Sequence, residues 1–161
     1  MQIQRIFISS GHNYFGHAGG EPDDVPLQEV TQVECVAGNG LRGDRFFDFS
    51  KDYKGQITFF SQEIFDQLSA AFPETEKSPG VLRRNVIVSG VTLNELIGQK
   101  FEIQGVRFFG TQHCKPCYWM DRAFAPGAEA WLKNKGGLRA RILTDGWIKA
   151  EAGKLTTAGL R

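Results

Sequence analysis

The stretch RNVIVSGVTLNELIGQKFEIQGVRFF, residues 84–109, carries the clearest structural pattern in the chain. Its first five residues are rich in the β-branched side chains that favour strands, and the Ser-Gly pair that follows predicts a turn. Thr92 and Glu95 have the spacing of a capping box, in which two side chains satisfy backbone N–H groups at a helix start. The pattern therefore predicts a strand at 84–88, a turn, and a short helix that ends at Gly98.

Two β-hairpins are predicted from glycine-containing turns between apolar runs. The first joins two strands within 100–109 through Gln104-Gly105, where glycine tolerates the positive φ angle that a tight turn needs. The second lies within 138–150, around the Thr-Asp-Gly turn at 144–146. Both hairpins predict antiparallel β structure in the second half of the chain.

The remaining elements are shorter patterns spread along the chain. Ser61 is a suitable N-cap for a helix with one apolar face, and Pro73 is expected to stop that helix. Other strands are predicted at 2–9, 28–36 and 56–60, and another helix at 126–133. About seven short strands with a few helical pieces predict a mainly β fold, a closed or nearly closed β-barrel with a few short helices. Alternating β-α-β units are not predicted, which disfavours a dinucleotide-binding sheet.

Composition and charge bound the class of protein. A chain of 161 residues and 17.9 kDa fits a single domain, 1–161, and its 41% hydrophobic content excludes wholesale disorder. The net charge of +1 disfavours a general nucleic-acid or anionic-membrane surface. No apolar run approaches the ~20 residues of a membrane span, and the N-terminus lacks the pattern of a signal peptide. We therefore expect a cytoplasmic protein without nucleic-acid or membrane partners.

Cysteine chemistry is concentrated in the segment HCKPC at 113–117. Three cysteines, an odd number, suit free thiols in a reducing compartment better than a disulfide framework. Cys35 lies in a predicted strand and is interpreted as a small buried apolar residue. The candidates for chemistry are therefore Cys114 and Cys117.

Four interpretations of these two thiols are open. A thioredoxin-like dithiol lowers the pKa of one thiol at a helix N-terminus, but it needs a β-α-β setting that the pattern lacks. A zinc site needs four ligands. The candidate ligands are His113, Cys114 and Cys117 with His12, His17 or Cys35. The third interpretation is a single thiolate that binds a soft metal or carries sulfur, and the fourth is burial as apolar side chains.

Basic residues cluster in three short segments of an otherwise neutral chain, LRGDR at 41–45, RRN at 83–85 and LRAR at 138–141. Arg139 and Arg141 are predicted to share one face of a strand, because side chains alternate along it. Taken singly, such arginines are solvated or form surface ion pairs of little energetic value. Taken together, they are candidates for an anion pocket, since the planar guanidinium binds phosphate and carboxylate through paired hydrogen bonds.

The order of five motifs along the chain resembles a known family. The motifs are GLRGDR at 40–45, RRNVIVSGVTL at 83–93, LIGQKFEIQGV at 96–106, CKPC at 114–117 and GGLRARILTDGWI at 136–148. This order resembles the MOSC family, which is named for the C-terminal domain of molybdenum-cofactor sulfurases, and in particular its short stand-alone bacterial members. The resemblance is strongest over residues 30–153, most of the chain.

The resemblance implies a β-barrel of the pyruvate-kinase type and one essential cysteine in a Pro-Cys context, which Cys117 matches. It further implies a protein that binds the molybdenum cofactor, an oxidoreductase acting on N-hydroxylated compounds with Cys117 as catalytic residue and molybdenum ligand. Candidates to hold the phosphate of the pterin or the substrate are Arg45, Arg84, Asn85 and Arg139. The alternative is a non-catalytic sulfur carrier or cofactor-delivery module that uses a Cys117 persulfide.

The same resemblance sets the expected partners and shows two departures. The site takes a small-molecule substrate, and an external electron-donor protein or sulfur donor is needed, because no flavin, iron–sulfur or pyridoxal-phosphate domain is expected in the chain. Phe46 and Phe47 follow Gly-Asp-Arg where the family commonly has histidine. Glu151-Ala152-Gly153 stands in place of a usual Gly-Asp, so we expect a reorganised last turn.

Overall fold

The computed structural model describes residues 1–11 and 27–151, which form a mainly β fold. The strands are β1 (Gln2–Ser9), β2 (Leu27–Val30), β3 (Gln32–Val36), β4 (Gly40–Leu41), β5 (Ile57–Ser61), β6 (Val86–Ser89), β7 (Lys100–Ile103), β8 (Val106–His113), β9 (Leu138–Ile142) and β10 (Gly146–Lys149). The helices are α1 (Gln62–Ala71), α2 (Tyr118–Ala123) and α3 (Ala128–Trp131), with 3₁₀ turns at Pro79–Leu82 and Leu93–Leu96. No helix in these ranges combines the length and the apolar character needed to cross a membrane.

The strands of this part of the chain form two sheets that do not close into a barrel. The larger sheet has seven strands in the order β2-β1-β6-β5-β9-β8-β7, and the smaller has three in the order β10-β3-β4. β2 and β7 are the edges of the larger sheet, where its hydrogen-bonded ladder ends. The prediction of a mainly β fold is confirmed. The predicted closed or nearly closed barrel is wrong here, because β10 pairs with β3 instead of continuing the larger sheet.

The two predicted hairpins have different outcomes. Gln104 and Gly105 connect β7 to β8 with φ angles of 52° and 85°, as in a tight turn with two positive φ values. The hairpin predicted within 138–150 is wrong, because β9 pairs with β5 and β8 whereas β10 pairs with β3. Asp145 accepts a hydrogen bond from the Ala37 backbone N–H at 2.7 Å, which fastens the turn to the smaller sheet.

Capping residues account for α1 but not for the next predicted helix. The Ser61 hydroxyl accepts a hydrogen bond from the Ile64 backbone N–H at 3.1 Å, and α1 ends before Pro73 as expected. Thr92 makes no side-chain capping bond, and the residues after it form a 3₁₀ turn, so the capping-box prediction is wrong. α3 covers only the middle of the helix predicted at 126–133.

Two further differences shape the sheets. The strand predicted at 28–36 is divided at Thr31 into β2 and β3, which belong to different sheets. β5 and β6 pair in parallel and are joined through α1, a β-α-β unit that the sequence pattern does not predict. This unit brings the residues just before β6 beside β5, where several predicted site residues lie.

The larger sheet separates two apolar clusters. Side chains alternate along β5, so Phe59 belongs to one cluster and Phe60 to the other. The first cluster joins the two sheets and includes Leu138 of β9 and Ile148 of β10. The second joins the larger sheet to the helices and includes Met120 of α2. The side of the sheet that Phe60 faces is therefore called the helical face.

Asn85 ties β1 to β5 just before β6 begins, and it is only 1% exposed. Its Oδ1 accepts hydrogen bonds from the Thr58 backbone N–H at 3.0 Å and from the Thr58 hydroxyl at 3.1 Å. Its Nδ2 donates to the carbonyl oxygen of Phe7 at 3.1 Å. The side-chain amide therefore satisfies buried backbone groups of two strands.

Replacement of Asn85 by alanine removes these bonds and leaves the Thr58 N–H and the Phe7 carbonyl without this partner. We expect Asn85→Ala to lower the free energy of unfolding by about 3 kcal/mol, as measured by urea denaturation. Asn39→Ala is the matched control, because Asn39 bonds Asp48 at an exposed site and its loss should cost less than about 1 kcal/mol. Equal losses in the two variants would contradict a structural role for Asn85.

Candidate functional site

The cysteine loop, residues 113–117, leads from the end of β8 to α2 and carries both candidate thiols. Cys114 is 5% exposed, and its backbone N–H donates to the Gly137 carbonyl at 2.8 Å. Cys117 is half-buried and directly precedes α2, and its carbonyl accepts a hydrogen bond from the Met120 N–H at 2.9 Å. Cys117 is therefore the more accessible thiol of the pair.

Cys35 lies in β3 and is fully buried, which confirms its interpretation as a small apolar residue. Burial, and secondly the charge of Glu34, raise the pKa of its thiol to about 12. Because the thiolate is the reactive form, this cysteine is chemically inert at neutral pH.

Arg84 fastens the cysteine loop to two other segments of backbone. Its Nε donates to the Gly136 carbonyl at 2.8 Å, its Nη1 to the Leu82 carbonyl at 3.1 Å and its Nη2 to the Lys115 carbonyl at 3.4 Å. The residue is buried, and its charge-assisted bonds to the Gly136 and Leu82 carbonyls are shielded from water. The contacts of Arg84 with these carbonyls position the cysteine loop. Contact between Arg84 and a ligand stays a prediction.

Two glycines let the segment before β9 approach the cysteine loop and β5 closely. A Cβ on Gly136 would collide with the carbonyl oxygen of Cys114, and one on Gly137 with the carbonyl oxygen of Phe59. Gly137 also has a φ of 111°, which residues with a side chain rarely adopt. The sequence therefore needs glycine at both positions to pack the loop against the sheet.

His113 ends β8 and contacts the same glycine segment. Its Nε2 accepts a hydrogen bond from the Gly136 backbone N–H at 3.1 Å, so the proton of the neutral ring is on Nδ1. Burial first, and then the charges of Arg84 and Lys115, lower the pKa of the imidazole. The ring is therefore neutral at pH values where an exposed histidine begins to titrate.

The zinc interpretation gains no support from the part of the chain that the structure describes. Within it, no three His, Cys, Asp or Glu side chains are grouped to hold a metal ion. The candidate ligands His12 and His17 lie outside the described residues.

Arg45 is also engaged within the protein. Its side chain is 7% exposed, with Nη1 3.0 Å from Oδ1 of Asp44 and Nη2 donating to the Arg83 carbonyl at 3.1 Å. The guanidinium lies over the Phe46 ring, 4.8 Å from its centroid. Asp44 in turn accepts a hydrogen bond from the Ser9 N–H at 3.0 Å. These contacts link the Gly-Asp-Arg motif to β1 and to the segment before β6.

Arg139 differs from the other arginines because its guanidinium has no hydrogen-bond, ion-pair or ring partner within residues 1–11 and 27–151. It is half-buried on β9, where it pairs with Thr58 of β5 and Gln112 of β8. Cross-strand partners point to the same side of a sheet, which here is the helical face. The alternating burial along β9 confirms that Arg141 shares this face with Arg139.

The structure brings most of the predicted residues to one region. Arg84 bonds the cysteine loop directly, and Thr58 lies between Asn85, which it hydrogen-bonds, and Arg139, which it pairs with across strands. Arg45 reaches this region through the carbonyl of the residue before Arg84. The roles of these residues in binding stay predictions.

A cavity of about 680 Å³ lies beside this region and is lined by none of the predicted site residues. It is lined by Ser61, Glu63, Ile64, Gly90, Val91, Thr92, Leu93, Asn94, Glu95, Asn134, Lys135 and Gly137. Gly137 connects the cavity to the cysteine loop, since its carbonyl accepts the Cys114 N–H. The motifs at 83–93 and 136–148 contribute Gly90, Val91, Thr92, Leu93 and Gly137 to the lining, but the sequence does not predict the cavity, because residues of α1 and of the 3₁₀ turn at Leu93–Leu96 complete it.

The lowered pKa of His113 makes stability depend on pH, since the unfolded chain binds this proton more readily than the folded chain. The folded state keeps the full stability associated with a neutral His113 above about pH 6.5, the ordinary histidine pKa. It loses that stability as the pH falls toward the lowered pKa of the folded state. We expect the unfolding free energy to fall between about pH 7 and pH 5, and to fall less in His113→Gln, whose side chain accepts the Gly136 N–H without titrating. Urea denaturation across this range measures both profiles, and superimposable profiles would contradict the expectation.

Comparison with known families gives a match. The model of the MOSC domain matches residues 35–152, a range that contains the cysteine loop and all four residues predicted to bind phosphate. No curated protein matches the chain.

Several solved structures have a similar fold. The YuaD protein from Bacillus subtilis has a TM-score of 0.70 and 15% identity, over 92% of this chain and 91% of that one. YiiM from Geobacillus stearothermophilus has a TM-score of 0.64 and 14% identity, over 92% of this chain and 70% of that one. YiiM from Escherichia coli has a TM-score of 0.64 and 17% identity, over 94% of this chain and 67% of that one. At these identities the likeness shows the fold.

The resemblance inferred from the order of five motifs is thereby confirmed. The family match covers well over half of the chain and begins and ends close to the 30–153 expected from the motifs. The chain belongs to the MOSC domain family.

Proposed function

We propose that the protein binds the molybdenum cofactor through Cys117 and acts as an oxidoreductase on N-hydroxylated compounds. The observation that carries the proposal is the position of Cys117, the least buried of the three cysteines, in a loop that Arg84 holds in place. A thiolate is a suitable ligand for a soft metal centre. Membership of the MOSC family supports an association with this cofactor.

The side chains present fit such a group. Cys117 supplies a soft donor for the metal. Arg139 supplies a guanidinium without a partner in the described part of the chain, which suits the anionic group of a substrate bound beside the cofactor. Arg45 and Arg84 already donate to backbone carbonyls, and Asn85 is bonded on both sides of its amide. These three residues therefore shape the site, and Arg139 is the one we assign to an anionic group.

Each part of the chain contributes to the reaction in a defined way. When bound, the cofactor supplies a metal that exchanges electrons with the substrate. Arg84 fixes the backbone at Lys115 and so helps to position Cys117, which directly precedes α2. His113, neutral because of its lowered pKa, keeps its proton on Nδ1 and adds no second positive charge beside Arg84.

Reduction of an N-hydroxylated compound breaks the N–O bond, takes up two electrons and two protons, and releases water. The electrons come from outside the chain, so an external electron-donor protein is part of the proposal. The other partner is the small-molecule substrate itself.

A second candidate function is favoured by the half-buried position of Cys117 at the end of a loop. A thiol in this position is accessible to a donor or acceptor protein, whereas Cys35 and Cys114 are buried. Cys117 then carries sulfur as a persulfide, or the protein delivers the cofactor, without turnover of its own. The two functions are distinguished by the group bound to Cys117, which is molybdenum in the first and a persulfide sulfur in the second.

Protein purified anaerobically from a host that makes the molybdenum cofactor tests the proposal. We expect stoichiometric molybdenum and pterin in the wild type and a loss of molybdenum of roughly tenfold or more in Cys117→Ser, measured by plasma mass spectrometry. Cys35→Ala is the control, because that thiol is buried in β3 and its loss should leave the molybdenum content unchanged. With an added electron donor, the wild type should reduce an N-hydroxylated base and Cys117→Ser should not.

Three other outcomes decide against this proposal. Equal molybdenum in wild type and Cys117→Ser removes Cys117 as a ligand. A persulfide on Cys117 without molybdenum supports the carrier function instead. Zinc that is retained in Cys117→Ser but lost in Cys114→Ser contradicts both functions, because the thiol loop would then be structural.

A further inference from the structure

The aromatic loop, residues 46–54, presents three packed rings beside the predicted site. The rings of Phe46 and Tyr53 stack with centroids 5.2 Å apart and an interplanar angle of 22°. Phe49 packs against both, with its centroid 5.3 Å from that of Phe46 and 4.8 Å from that of Tyr53. Phe49 is nevertheless 44% exposed, a large exposure for a residue type that is usually buried.

The aromatic loop is anchored to β8 and β9. Arg141 donates from Nε and Nη2 to the Asp52 carbonyl at 3.2 and 3.1 Å. The Thr111 hydroxyl donates to the Lys54 carbonyl at 2.6 Å. Because Arg141 and Arg139 share the helical face of β9, these anchors hold the aromatic loop beside the face that carries Arg139.

Arg139 lies next to this ring cluster. A Cβ on Gly55 would be 3.2 Å from Cε2 of Tyr53 and 3.5 Å from Cδ of Arg139, so both side chains flank the same glycine. The Arg139 guanidinium makes no bond to the rest of the described chain, although it is half-buried. A cation without a partner in the described chain and a set of aromatic rings therefore lie side by side.

Charge around the aromatic loop is positive on balance. Lys51 and Lys54 are exposed in it, and two arginines face it from β9. The opposing charges are Asp48, whose carboxylate accepts a bond from Asn39 at 3.2 Å, and the exposed Asp52. The surplus of basic side chains favours an anionic ligand over a neutral or cationic one.

We propose that Arg139 and the aromatic loop bind a planar, ring-containing anion. This anion is the substrate class of the Cys117 site, an assignment that rests on the proposed function. The ring stacks on the exposed aromatic cluster at Phe49, since flat rings stack on aromatic side chains with little dependence on their identity. The carboxylate or phosphate of the ligand pairs with the planar guanidinium of Arg139.

Three probes distinguish the contribution of the flat ring to binding from the contribution of the anion. Phenyl phosphate has a flat ring and an anion, cyclohexyl phosphate has a puckered ring and the same anion, and inorganic phosphate has the anion alone. Isothermal titration calorimetry on the full chain, as purified with its cofactor, should show phenyl phosphate binding about tenfold or more tightly than either of the others.

Matched variants test the residues. Arg139→Gln should weaken phenyl phosphate binding by about tenfold or more, and Phe49→Leu by about fivefold. The controls are Arg107→Gln, which removes an arginine paired with Glu102 at an exposed position of β8, and Trp147→Leu, which removes an exposed ring from the smaller sheet. Each control should change the affinity by less than about twofold. If Arg139→Gln does not fold, Arg139→Lys keeps the charge without the planar fork and is expected to bind more weakly than wild type.

The outcomes separate this inference from the proposed function. Equal affinity for the three probes, or equal weakening in the control variants, overturns it. Binding to cofactor-free protein but not to loaded protein also overturns it, because the site would then hold the cofactor instead of a substrate. If the molybdenum experiment fails but wild type still binds phenyl phosphate and Arg139→Gln does not, the proposed function is wrong and the binding site inferred here still stands.

Discussion

The buried guanidinium of Arg84 is the constraint on which the site depends. A buried positive charge is costly unless its donors are satisfied, and this one donates to the carbonyls of Gly136, Leu82 and Lys115. The three carbonyls belong to different segments, so the charge is accommodated only when the lead-in to β9, the 3₁₀ turn and the cysteine loop are all in place. The position of Cys117 follows from this requirement. The same charge, after burial, contributes to the lowered pKa of His113.

Local patterns predicted the local structure and failed where distant segments decide. The Ser61 cap, the hairpin through Gln104 and the shared face of β9 each depend on a few neighbouring residues, and all three were predicted. The closed barrel and the hairpin within 138–150 were wrong, because β10 pairs with β3 from the other end of the chain. Thr92 has the residue type of a cap, but the backbone after it takes a 3₁₀ turn that makes no use of its hydroxyl.

The sequence was sufficient to predict which residues lie in the candidate site, but only partly sufficient to predict what each of them does there. Arg84, Asn85 and Arg139 are alike in sequence terms, as polar residues at or near strand starts. Contacts from remote segments distinguish them: Arg84 and Asn85 are bonded to the backbone of other elements, whereas Arg139 has no such bond in the described chain. Phe46 and Phe47 were noted in the sequence only as a departure from the family pattern, and the place of the aromatic loop beside Arg139 depends on anchors from β8 and β9.

A direct bond between the Cys117 sulfur and molybdenum is tested most directly by X-ray absorption at the molybdenum K-edge. The spectrum of the loaded protein counts the sulfur atoms bound to the metal, and the free cofactor provides the reference count. We expect one more sulfur ligand in the wild-type protein than in the free cofactor. After Cys117 has been replaced by serine and the protein loaded with excess cofactor, we expect no additional sulfur ligand. The same sulfur count in the wild-type protein and the free cofactor would contradict Cys117 as the metal ligand.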